Sequence, residues 1–236
     1  MRWDEQVQGW LDGVLGTVRA IGLADLLERT IAQVWERNVD RYDPAVAGDT
    51  ATSLGITASE NIRTLLLRED LAAWAARGVL VTSEQQALVL RLGTLRLLLM
   101  KVPDRALGPV GPAELGWDAT RWDTASDVRR HAAHENAGRY EPGPEHQWGQ
   151  TWWRGLVGDD GDADPVRLRH IVLVWTGDPR TAVTTGWLAV PYAGPPGSAP
   201  WLAATEVWHH GPDLVPRPRE PLVALPRTRT PLRIRP

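Results

Sequence analysis

Cysteine is absent from the chain. That excludes disulfides, thiolate nucleophiles and Cys-ligated zinc or iron–sulfur centres. The usual mark of a secreted domain goes with it. The opening run Met1-Arg2-Trp3-Asp4-Glu5 has no basic segment leading into an apolar one, so no signal peptide is expected. No window of about 18 residues is free of charge. The densest apolar run, Leu88 to Met100, is interrupted by Arg91 and Arg96. A cytoplasmic protein without a membrane span is therefore expected.

Phenylalanine is also missing, although the chain holds 13 tryptophans, and of its 26 basic residues only Lys101 is a lysine. The codons of a GC-rich genome account for both ratios. Tryptophan serves core positions as phenylalanine would, provided its N–H finds a partner. Strong charge of either sign is lacking as well: the formal net charge is -3, unlike the profile of a general nucleic-acid binder. Phosphate-cradling loops are absent, neither G-x-x-x-x-G-K-[ST] nor G-x-G-x-x-G occurring, and there is no G-x-S-x-G nucleophile elbow.

What is present fits a globular protein: 236 residues, 43% hydrophobic and 23% charged. Val7, Trp10, Leu11, Val14, Leu15 and Val18 recur at helical spacing, and the pattern resumes after Gly22 with Leu23, Leu26, Leu27, Ile31, Val34 and Trp35. Gly22 splits two helices that pack on their own domain; a dimerisation arm is the alternative. A helix is predicted over 51–68, with Asp49, Thr50, Thr52 and Ser53 as candidate N-caps, and a short one near 69–77, closed by Gly78. The period then changes. Val79-Leu80-Val81, Ala87 to Leu92 and Leu95 to Val102 read as strands, with a hairpin at Gly93-Thr94. Their near-continuous apolar character implies a sheet covered on both faces. A helix over 124–138 follows, then strands at His170 to Trp175, Ala182 to Val190 and Trp201 to Trp208.

The fold expected is α+β: an N-terminal helical region, then a mixed, mainly antiparallel sheet of about five to six strands with one inserted helix. One domain is expected over 1–215, helical over 1–78 and sheet-containing over 79–215. A Pro/Arg-rich tail over 216–236 completes the chain.

Four features carry chemistry. The first is His131-Ala132-Ala133-His134-Glu135, where residues three apart share a helix face, so two imidazoles could grip one divalent metal. Asp127, His146 or His209 would supply a third ligand. The motif is neither H-E-x-x-H nor H-x-x-E-H. Arg129, Arg130, Glu135 and Arg139 surround it, and a solvated helix face is the plainer reading. Beyond this possible metal, no cofactor is expected.

The second is an element order, helix, three strands, helix, strand, that resembles the PD-(D/E)xK nuclease core. That resemblance implies a carboxylate near the second strand and an acid-x-Lys on the third, holding a metal that activates water. Lys101 ends the third strand, but Leu99 occupies the acid position. Glu60 and Glu84 are the permissive matches for the remaining acids.

The third is the crowding of Trp117, Trp122, Trp148, Trp152 and Trp153 in one loop-rich stretch. Aromatics on loops anchor partners, and strict alternation would expose one ring of the Trp152-Trp153 pair. The fourth is the tail, with Arg217, Arg219, Arg227, Arg229, Arg233 and Arg235 against Glu220 alone. It favours extended conformations and reads either as a basic tether for phosphate or an acidic partner, or as a strap with Leu222, Val223 and Leu225 tucked in. By contrast, Asp160, Asp162 and Asp164 mimic a calcium loop, but Pro165 and Ile171 stand where glycine and glutamate are required.

Two stretches, Tyr42-Asp43-Pro44-Ala45-Val46-Ala47-Gly48-Asp49-Thr50-Ala51-Thr52-Ser53-Leu54-Gly55 and Val174-Trp175-Thr176-Gly177-Asp178-Pro179 with Trp187-Leu188-Ala189-Val190-Pro191, resemble a set of uncharacterised proteins of high-GC bacteria. The resemblance spans most of 20–210 and implies no activity and no residue role. Missing catalytic motifs, the tryptophan stretch and the basic tail together point to a non-enzymatic binding or regulatory protein. A protein partner is expected first, and nucleic acid through the tail second. The alternative is a metal-dependent hydrolase or nuclease-like enzyme built on the His131/His134 helix.

Overall fold

Asp4 starts the first helix as its N-cap, its carboxylate accepting from the Val7 amide at 2.9 Å. The computed structural model describes residues 4–84, 87–102, 127–140, 168–194 and 200–209. Helix α1 (Glu5–Ala20) buries Val7, Leu11, Leu15 and Val18. It ends at Gly22, whose φ of +77° is left-handed backbone that glycine takes without steric cost. Helix α2 (Leu23–Val39) then begins, so Gly22 does divide the N-terminal pattern in two. Helix α3 (Ala51–Leu66) opens with a capping box between Thr50 and Ser53, and α4 (Leu71–Ala76) is a short helix capped by Asp70.

The sheet has six strands in sequence order: β1 (Val79–Glu84), β2 (Ala87–Leu92), β3 (Leu95–Lys101), β4 (His170–Gly177), β5 (Thr184–Pro191) and β6 (Trp201–His209). Gly93, with φ of +59°, turns the β2–β3 hairpin. Four of the five pairings are antiparallel, and β3–β4 alone is parallel. A parallel pair needs a long crossover, and helix α5 (Asp127–Arg139) lies within this one. The fold is thus α+β, helices first and a mixed, mainly antiparallel sheet after.

Alternation along β3 and β4 sends side chains to two cores. Leu97, Ile171, Leu173 and Trp175 pack with α1, α2 and α3, whereas Leu98, Met100, Val172 and Val174 pack with Ala132 of α5. Both faces of these strands are covered, which explains why β4 reads as a continuous apolar run. Helix α1 is pinned at its start: the Asp4 amide donates to the Leu202 carbonyl on β6, and Tyr140 donates its hydroxyl to Asp4 at 2.7 Å. No helix among the described residues is long and apolar enough to cross a membrane.

Candidate functional site

The carboxyl ends of β3 and β4 lie side by side, with Lys101 in register with Trp175. Crevices at the carboxyl ends of parallel strands are recurrent ligand sites. A cavity of about 130 Å³ opens here. Glu60 and Arg63 reach it from α3, Lys101 and Leu99 from β3, Trp175 from β4 and Arg129 from α5.

Lys101 alternates onto the same sheet face as Leu97 and Leu99 and enters the layer occupied by α2 and α3. Its stem runs past Gly55, where an added Cβ would sit 3.5 Å from Lys101 Cδ. Its ammonium lies 4.8 Å from the centroid of Trp35 and 5.7 Å from that of Trp175. The two indoles meet edge to face at 5.8 Å, and both are buried. Cation–π attraction of about 0.5–2 kcal/mol fixes the ammonium at the cavity wall.

Among the described lining residues, cations outnumber carboxylates three to one. The one carboxylate, Glu60, is held by Arg63 at 2.7 Å. Arg129 has neither a hydrogen bond nor an ion pair among the described residues. Burial pushes its guanidinium down to about 10, so it remains a cation at neutral pH. Glu84 does not line the cavity. It is bound by Arg91 at 2.7 Å and by Arg96, and the hydrogen bond from Arg91 leads in holding its carboxyl below the usual range. Leu99 lines the cavity at the position where the nuclease resemblance calls for an acid.

The other half of α5 builds a second polar cluster. Asn136 is fully buried and clamps the helix to the sheet. Its amide donates to the carbonyls of His170 at 2.8 Å and Pro191 at 3.0 Å, and its oxygen accepts from the Arg169 and His170 amides. Beside it, Glu135 meets His170 Nε2 at 2.7 Å, Arg139 at 3.1 Å and His131 at 3.5 Å. The hydrogen bond with His170 leads in lowering the Glu135 pKa. Burial leads in lowering that of His170, and Glu135 only partly opposes it. His170 is therefore neutral at pH 7, with Nε2–H donating to Glu135.

The residues expected to form a metal site are spread along α5. Asp127 is mostly exposed and paired with Arg130. His131 is 71% exposed and leans toward Glu135, and His134 is exposed. His209, a possible third ligand, sits on β6 with Nδ1 3.2 Å from the Thr185 hydroxyl. Among the described residues no group of three or more His, Asp or Glu is arranged to hold a metal ion. Trp152, Trp153, Arg227, Arg229, Arg233 and Arg235 lie outside the described residues, as do His146 and the Asp160–Asp164 turn.

Sequence reasoning finds Lys101 and Glu60 but not Arg129, which it places on a solvated helix face, nor the His170–Glu135 contact. The signal for the latter is weak: one histidine opening a strand, 35 residues from its partner. No family model matches the chain, and neither a curated protein nor a solved structure matches it significantly.

Proposed function

We propose that the protein is a non-enzymatic binding or regulatory protein, cytoplasmic, that acts by seating an acidic group of a protein partner in the cavity at the ends of β3 and β4. The observation that carries this reading is the make-up of that cavity among its described lining residues: three cations, and one carboxylate already engaged by Arg63. An anionic occupant offsets the cost of holding the Arg129 guanidinium away from water. Trp152 and Trp153 would add aromatic anchors, and the tail arginines Arg227, Arg229, Arg233 and Arg235 a second, salt-sensitive contact.

A hydrolase is the competing reading. Lys101 and Glu60 on one cavity favour it, and Leu99 in the acid position argues against it, because water activation by a divalent metal needs carboxylates to hold the ion. The His131/His134 helix is the other place such an ion would bind.

One experiment separates the two. Purified protein is incubated with Mg²⁺, Mn²⁺ or Zn²⁺ and supercoiled DNA. In parallel, a photocrosslinker at Ser59 captures partners from extract. The expected result is intact DNA and a captured protein that is lost with Arg129→Gln. DNA cleavage abolished by Lys101→Met would establish the hydrolase, and cleavage abolished by His131→Ala/His134→Ala would place it on α5. Nucleic acid captured in place of protein would overturn the protein-partner reading in favour of nucleic acid at the cavity.

A further inference from the structure

We infer that the cavity between α3, the carboxyl ends of β3 and β4, and α5 is a receptor for a single phosphate monoester carried on a side chain of the protein partner. The inference rests on the binding role proposed above and names the chemical group recognised.

Size comes first. About 130 Å³ admits one small group together with a water or two, and not a polymer. Charge comes second. The whole chain is net negative, at -3. That net charge gives an extended polyanion such as a duplex no overall attraction, whereas one compact anion experiences chiefly the cations around it. Donor chemistry comes third. Arg129 offers a planar fork of N–H groups, and Lys101 a point charge whose ammonium also donates to the Val102 carbonyl at 3.4 Å. A carboxylate presents two oxygens in one plane and saturates such a fork alone. A phosphate monoester presents three oxygens on a tetrahedron and carries nearly two charges, so it engages fork and ammonium from different oxygens. The walls come last. Among the described residues, Leu88, Leu98, Leu99 and Trp175 add apolar wall, and they suit the short apolar stem that bears the phosphate.

The cavity is also built to hold its donors before a ligand arrives. Trp35 donates Nε1–H to the Asp178 carbonyl at 3.2 Å, which fixes the ring beneath Lys101. Trp175 is locked in β4 by the parallel pairing. A preorganised cation loses little freedom on binding.

Because Lys101 is the chain's only lysine, protein grown on lysine labelled with ¹³C at Cε gives one lysine side-chain NMR signal, displaced by the adjacent indoles. O-phosphoserine is titrated into full-length protein, with serine, glutamate, inorganic phosphate and a 20-base-pair duplex as separate arms. The expected result is a saturable shift with O-phosphoserine and none with serine. Glutamate should bind at least about 10-fold more weakly, through the loss of one charge-assisted contact, and inorganic phosphate more weakly because it has no stem to meet the apolar walls. Arg129→Gln should weaken O-phosphoserine by a similar factor. Ser59→Glu, an exposed change on α3 at the cavity rim, should abolish binding by adding a competing carboxylate, and the unperturbed amide spectrum of each variant shows that it folds. No saturable shift, or equal affinity in both variants, overturns the proposal. Glutamate binding as well as O-phosphoserine overturns the phosphate assignment yet leaves an acidic-partner site standing. Inorganic phosphate binding more tightly than O-phosphoserine overturns the side-chain assignment in favour of a free-ion site. Duplex binding that depends on Arg129 overturns it in favour of nucleic acid.

Discussion

At Gly177 one hydrogen atom decides whether α2 can lie on the sheet. A Cβ there would stand 2.4 Å from Trp35 Cε2. Trp35 is fully buried and spends its indole N–H on the Asp178 carbonyl, so the ring cannot retreat without losing that bond. Gly177→Ala should lower stability by about 2 kcal/mol, read as a fall in the denaturant midpoint, and should disturb the Lys101 signal above the ring. Gly186 repeats the arrangement against Trp208, 2.3 Å from the ring's Cη2. His170 is a second residue with a measurable signature. Its folded pKa lies below the ordinary 6.5, chiefly through burial, so the unfolded chain binds its proton first as the pH falls. Stability is therefore full above about pH 6.5 and declines below it. Glu135, lowered from 4.5 chiefly by its bond to His170, adds a further loss below about pH 4.5. Arg96 and His131 also face His170 and disfavour its charged form. Urea midpoints on either side of the ordinary histidine pKa check this, and His170→Gln should flatten the slope between them.

Among the elements, α5 depends most on a single side chain. Asn136 serves two carbonyls and two amides across β4 and β5, three of them within two residues of chain. Asn136→Ala would leave those buried groups unpaired at a cost of about 3 kcal/mol. Hydrogen exchange should then speed at His170 first, with α1 and α2 unaffected. This dependence also explains why α5 is the hardest element to read. Its buried positions are Ala132, Ala133 and Asn136, two small residues and a polar one, so no hydrophobic stripe marks the face that meets the sheet. Arg129 and Glu135 consequently pass for members of a solvated face. The N-terminal helices, by contrast, carry leucine and valine at most inward positions, and Gly22 punctuates them as its φ requires. The strands are legible for the same reason: their apolar runs are short and bounded by turn residues such as Gly93-Thr94.

Across the whole molecule, composition and period are enough for the α+β class, the order of elements and a sheet covered on both faces. They do not single out the one parallel seam. Two strands joined through a long crossover look, residue by residue, like two strands of a meander, and only the connection length distinguishes them. The candidate site lies on that seam, which is why the sequence shows only some of it. Lys101 stands out as the chain's lone lysine, and Glu60 through a resemblance of element order. The convergence of Arg129, Trp35 and Trp175 on the same spot arises from three elements far apart in sequence.

That seam has a practical corollary in proteolysis. An endoprotease that cuts only after lysine has a single target in these 236 residues, the Lys101–Val102 bond. In the native protein the Val102 amide donates to the Trp175 carbonyl at 2.9 Å, and its side chain is buried, so the bond is closed to the enzyme until β3 parts from β4. Each cut therefore counts one opening of the molecule at its midline and divides it into two fragments, the N-terminal helices with the first three strands, and all that follows. The rate of that cleavage should fall when the cavity is filled and rise in Gly177→Ala.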